Sequence, residues 1–240
     1  MSLTKKKINI WAVVAALSFL YLAFIPYIMS PINTMLISEG FGYIIRNFFS
    51  ALFNISNILS FVANILLAVG ILTKFDKIAV AAASAILWLS GVISLITNIA
   101  NSIKYGYKLG FSYYFSSAFN LFTLFLLFAA TLVFAIFFFA KKPIPKLLKI
   151  AIFIPVAFMG ISFIFSFFTN TSNVISAIAS GQELKWTIYS IVINSMNTIN
   201  VLIRLVGFTA VAVKLADFKK KPKNTVEISE EVVVENVTTE

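Results

Sequence analysis

The chain reads as an all-α integral membrane protein: six transmembrane helices arranged as three pseudo-repeats of a two-helix hairpin, with the N- and C-termini cytoplasmic. Three observations predict it. First, 60% of the 240 residues are hydrophobic and only 12% charged, with a mean hydropathy of +0.96, whereas soluble domains carry roughly 25% charge. Second, six stretches reach the ~20 apolar residues that a helix needs to cross a hydrocarbon core of about 30 Å. Third, one Ser-x-x-x-Asn signature recurs as Ser50 and Asn54, Ser116 and Asn120, and Ser190 and Asn194.

The first span covers about 8–29. Lys5, Lys6 and Lys7 precede it as in a signal peptide, but the apolar run is long and no small-x-small cleavage pattern follows, so an uncleaved helix is expected. The second span, 48–72, continues from its first Asn through Asn57, Ser60 and Asn64. At 100° per residue these fall on one helix face. The third span, 78–100, ends in Ser90, Ser94, Thr97, Asn98 and Asn101, and the fifth, 147–169, ends in Ser162, Ser166, Thr169, Asn170 and Asn173 at identical spacing. The first span lacks this set. The fourth, 118–140, keeps Thr123 in the stripe and then turns apolar, while the sixth, 187–213, continues through Asn197 and Asn200 to Arg204.

Repeat units are therefore expected at 1–77, 78–146 and 147–218, each running across the membrane and back, as parallel repeats about the membrane normal. Between paired spans the loops contain Gly40 and Gly42, Gly106 and Gly110, and Gly181. A short interfacial helix, or an extension of the odd helix, is expected before each glycine break. Residues 219–240 hold four lysines and five glutamates with little apolar mass, which reads as a disordered cytoplasmic tail.

Orientation follows from the lysines. With Lys5–Lys7 inside, the inner segments hold fourteen of the nineteen basic residues, and the outer loops only Arg46, Lys104, Lys108 and Lys185. This is the positive-inside pattern. The basic inner loops and tail are expected to meet anionic headgroups of the bilayer. Nucleic-acid binding is not expected, because the net charge of +10 is scattered over short loops rather than gathered on a folded face. The strong preference for Lys over Arg, with abundant Ile, Phe and Asn, points to an AT-rich bacterial genome and a cytoplasmic membrane. A protein partner or homo-oligomer is left open.

The sequence has no Cys and no His, and its nine carboxylates (Glu39, Asp76, Glu183, Asp217 and five in the tail) fall in loops or ends. Disulfides, thiolate chemistry and a His or acid proton relay are thereby excluded. No catalytic residue, metal site or cofactor is expected, because hydrolytic and metal chemistry need residue types the spans lack.

The plan of three two-helix units is similar in outline to mitochondrial carriers, although their Pro-x-acid-x-x-base signature is missing from the ends of all three odd helices. Six helices with both ends inside are also similar in outline to the substrate-binding subunits of bacterial vitamin importers and to small exporter permeases. Two readings of the polar stripes follow. In one, they line a shared centre through which a transporter, channel-like protein or permease subunit handles a neutral or anionic solute. In the other, they are packing surfaces of a non-transporting assembly, sensor or immunity factor. Arg204 bears on the choice, since an arginine near mid-bilayer costs roughly 2.5–3.5 kcal/mol on insertion scales and needs polar company.

Overall fold

The computed structural model describes residues 9–37, 40–106, 110–181 and 183–216. Among these residues the regular structure is all helical: α1 (Ile10–Ile37), α2 (Phe41–Phe53), α3 (Ile55–Gly70), α4 (Asp76–Tyr105), α5 (Phe111–Phe139), α6 (Lys146–Ala151), α7 (Phe153–Ala179) and α8 (Leu184–Ala216). The expected tail and the lysines at 5–7 lie outside the described residues. Among the described residues five spans are long and apolar enough to cross a membrane: α1, α4, α5, α6 with α7, and α8. The bent pair α2 and α3 makes a sixth if counted as one.

That pair corrects the expected continuous second span. The chain turns by 63° between α2 and α3, and Asn54 is the hinge. Its backbone is extended (φ −72°, ψ 118°) and its Oδ1 accepts from the amides of Ser56 at 3.0 Å and Asn57 at 3.3 Å. An asparagine in this role satisfies two of the orphan donors at a helix start. The 16 residues of α3 span about 24 Å at helical rise, short of the ~30 Å core. The 13-residue α2 presents Phe41, Tyr43, Phe48, Phe49 and Phe53 on exposed positions and buries only Ala51. Asn47 on α2 donates to Thr34 of α1 at 2.7 Å, and the Ser30 hydroxyl donates to the Asn47 carbonyl at 3.0 Å, which ties α2 across the end of α1.

The expectation for the outer glycines resolves in favour of extension. Helix α4 runs to Tyr105 and stops at Gly106 (φ +70°), and α7 runs to Ala179 just before Gly181 (φ +62°). Both glycines take the left-handed conformation that most commonly ends helices.

Packing is sequential and closes on itself. Going round, α1 packs on α3, α3 on α4, α4 on α5, α5 on α7, α7 on α8, and α8 returns to α1. The junction between α5 and α7 is the loosest of the six. The result is a ring of helices with a centre filled differently in its two halves. At the end that carries Ile10 and Ala216, hereafter the terminal end, small residues draw the helices together: Ala15 and Ala16 of α1, Ala63 of α3, Ala83 of α4, and Ala210 and Ala212 of α8 are all buried. Small residues allow the close helix approach that drives packing in lipid. Phe19, Leu67, Val80, Phe134, Phe208 and Val211 fill the space among them, with Phe19 and Phe208 in edge-to-face contact at 4.9 Å.

An ion pair lies at this sealed end. Lys214 of α8 meets Asp76 of α4 at 2.9 Å and donates to the carbonyl of Ile71. Asp76 also lies in the first turn of α4, where a carboxylate is favoured by the helix dipole.

Candidate functional site

Away from the terminal end the ring opens into polar cavities. One, about 160 Å³, is bounded by Ser56, Ser60 and Asn64 of α3, Ser90 and Ser94 of α4, Asn120 of α5, and Arg204 and Phe208 of α8. Phe208 is its floor, since that ring is also part of the terminal core. A larger cavity of about 530 Å³ lies among α5, α7 and α8. Its polar wall is Ser116, Asn120 and Thr123 of α5 together with Ser162, Ser166, Thr169 and Asn170 of α7, and Arg204 reaches it from α8. Asn120 and Arg204 border both cavities. A third cavity of about 490 Å³ lies among α1, α2, α3 and α8, lined by Asn33, Asn47, Ser50, Asn54, Asn57 and Asn197 among others.

Four helices, α3, α4, α5 and α7, present polar residues to the cavities that Arg204 of α8 borders, because residues recurring at helical spacing stay on one face over successive turns. Arg204 is an exposed residue of α8 even though helices surround the cavities it borders. Its exposure is to the chamber. Among the described residues it makes no hydrogen bond and no ion pair, and intramembrane charges face bundle interiors or water-filled cavities because lipid cannot solvate them.

The predicted stripes divide into residues that line space and residues that hold helices together. Ser90 belongs to both groups: its hydroxyl lies 3.0 Å from the Ser56 hydroxyl and 2.8 Å from that of Ser60, joining α3 to α4. In the third hairpin the polar set is shared between the two roles, with Ser162, Ser166 and Thr169 on the wall of the larger cavity and others bonded between helices. Asn170 donates to Thr198 at 2.9 Å, Asn173 to Asn194 at 3.4 Å, and Asn194 turns back to the Ser190 carbonyl at 2.7 Å. Asn200 accepts from the Tyr21 hydroxyl at 3.1 Å, which links α8 to α1. Thr97, Asn98 and Asn101 border none of the three cavities described.

The structure also brings in residues that the repeat did not mark. Ser56 is two residues past Asn54 and outside the signature, yet it faces Ser90. Asn33 of α1 has a buried side-chain oxygen with no hydrogen-bond partner and borders the third cavity. A buried acceptor left alone carries a desolvation penalty, so a water in that cavity is its natural partner. The sequence signal was there, since Asn33 and Thr34 are the polar residues of an otherwise apolar segment, but they lie outside the recurring signature.

No known protein family, curated protein or solved structure matches the chain. The class that the helices define is a multi-pass membrane protein.

Proposed function

We propose that this protein is a small transporter, channel-like protein or permease subunit that takes a neutral or anionic solute into the polar chamber centred on Asn120 and Arg204. One observation carries the reading: a ring of helices, sealed by apolar packing at one end, keeps a polar-lined hollow with an unpartnered arginine in its other half. Packing alone would give no reason to leave that guanidinium without a partner, given its cost in a membrane. The lack of His and Cys in the chain supports a non-catalytic role.

In this reading the terminal end faces the cytoplasm, as the concentration of lysines there favours, and the chamber opens outward in a bacterial cytoplasmic membrane. The alternation of outgoing and returning helices round the ring supports three duplicated hairpins. Their divergence has a functional sense: all three hairpins line space, while in the third Asn170, Asn173, Asn194 and Thr198 also bind α7 to α8. The bonds Asn170 to Thr198 and Asn173 to Asn194, both between α7 and α8, favour the second reading, a packing-only protein, at those positions and not at Asn120 or Ser166.

The test is sided thiol labelling. The sequence has no cysteine, so single cysteines at Ser94, Asn120 and Ser166 can be probed in intact cells with a membrane-impermeant reagent, with Lys146→Cys as the inner control. The proposal expects labelling at all three while the control stays silent until lysis. Silence at all three after lysis, in folded protein with a labelled outer-loop control, would overturn it.

A further inference from the structure

The larger cavity has two chemically different sides. Ser162, Ser166 and Thr169 line it together with Phe115, Met159 and Phe165, and its inner end is Arg204, where it meets the small polar chamber. It also lies at the loosest junction of the ring, between α5 and α7. Ring contacts across that junction include those of Phe158 with Phe119 at 5.6 Å and Phe122 at 5.8 Å. Phe115 and Phe165 are 55% and 63% exposed, so the apolar wall continues to the outside of the bundle, where lipid would be. A solute that is wholly polar gains nothing from this wall. One that is wholly apolar gains nothing from the arginine.

We infer that the cavity between α5 and α7 is a binding site for an amphiphilic monoanion, whose carboxylate or phosphate pairs with Arg204 and whose apolar body lies against Phe115, Met159 and Phe165. The inference rests on the solute-handling reading and deepens it by naming the solute class. Charge argues for one negative group: the chamber presents a single guanidinium and no carboxylate, and hydroxyl and amide donors surround it. Size argues for an organic ion, because about 530 Å³ falls in the range of small-molecule pockets, roughly 300–1,000 Å³. The α5–α7 junction offers such a molecule a way in from the outer leaflet without shedding its apolar part into water.

The experiment uses the full chain in nanodiscs of zwitterionic lipid, titrated with octanoate, acetate, chloride and octanol. Octanoate is expected to bind at least tenfold more tightly than any of the other three, and Arg204→Gln to reduce it to the level of octanol, with Arg204→Lys retaining part. Equal binding of acetate or chloride would overturn the apolar body, and equal binding of octanol would overturn the ion pair. A diazirine-bearing alkanoate on the unmodified protein provides the second readout, needing no variant. Crosslinks at Phe115, Met159 or Phe165 support the site, and crosslinks confined to other helices overturn it. Repeating the titration in discs containing anionic phosphatidylglycerol, at about 1 M salt where the surface charge is screened, separates the sources: loss of octanoate binding there identifies the lipid headgroup as the occupant, and unchanged binding identifies a free organic anion. A chamber that labels as wet but shows no preference for octanoate removes this inference and leaves the pathway standing. A dry chamber that still binds octanoate does the reverse.

Discussion

The two halves of the ring are made by the same helices and differ in what those helices place at the centre. In the terminal half, α1, α3, α4 and α8 bring alanines to one another, and Phe19, Leu67, Phe134 and Phe208 leave no space among them. In the other half α3, α4 and α5 present Ser and Asn and α8 presents Arg204, and the centre stays open. Small side chains occur in both. Apolar small residues can close a gap in lipid because only van der Waals contact is required, while polar ones must find hydrogen-bond partners or water. The composition of a helix turn by turn therefore decides whether the ring seals or stays hollow.

The comparison is most easily broken at the sealed end. Asp76→Ala leaves Lys214 without its acid at a position where the two side chains are only 12% and 14% exposed. The loss is expected to be about 3 kcal/mol, the lower end for breaking a buried pair, read as a fall in the thermal unfolding midpoint. Replacing both residues with apolar ones, as in Asp76→Ala with Lys214→Met, should recover most of it. Next comes the approach of α3 to α4: a Cβ on Gly70 would stand 2.2 Å from that of Ala79. Gly70→Val is expected to cost about 1–3 kcal/mol by overpacking, and Ala79→Gly in the same chain to relieve it.

The smallest effects sharpen the distinction in the open half. Ser90→Ala removes hydroxyl contacts to Ser56 and Ser60 and should destabilise by about 1 kcal/mol, given ~0.6 kcal/mol for an average interhelical bond in lipid. Ser166→Ala, which touches open space in the larger cavity, should stay within ~0.5 kcal/mol. Equal losses from the two serines would mean that the cavity wall is packed.

Much of this was legible in the sequence, for physical reasons. Span number and type follow from length and apolarity, because the bilayer admits few solutions. The inward stripe through Ser60, Asn64 and Asn120 to Arg204 was legible because helical periodicity preserves a face. The break at Asn54 was not, since an asparagine serves equally on a helix face or as an N-cap, and the repeat with Asn120 and Asn194 favoured the former. Those two do lie inside helices. The choice between lining and packing was also hidden: Asn170 and Asn120 look alike in sequence, and only the proximity of Thr198 commits the first to a bond. In the sequence Asp76 is one of nine carboxylates in loops or ends and Lys214 one of the inner basic residues, far apart along the chain, and their pairing depends on the ring closing α8 against its neighbours.

The division of the ring can be measured directly by spin-label accessibility in nanodiscs, with single cysteines at Ser94, Asn120 and Ser166 in the open half, Ala83, Phe134 and Val211 in the sealed half, and Leu132 as a lipid-facing reference. The account predicts that a water-soluble nickel relaxant reaches the first three, that neither nickel nor oxygen reaches the second three, and that oxygen alone reaches Leu132. Nickel exclusion from Ser94, Asn120 and Ser166 alike would contradict it, because the ring would then be packed through both halves.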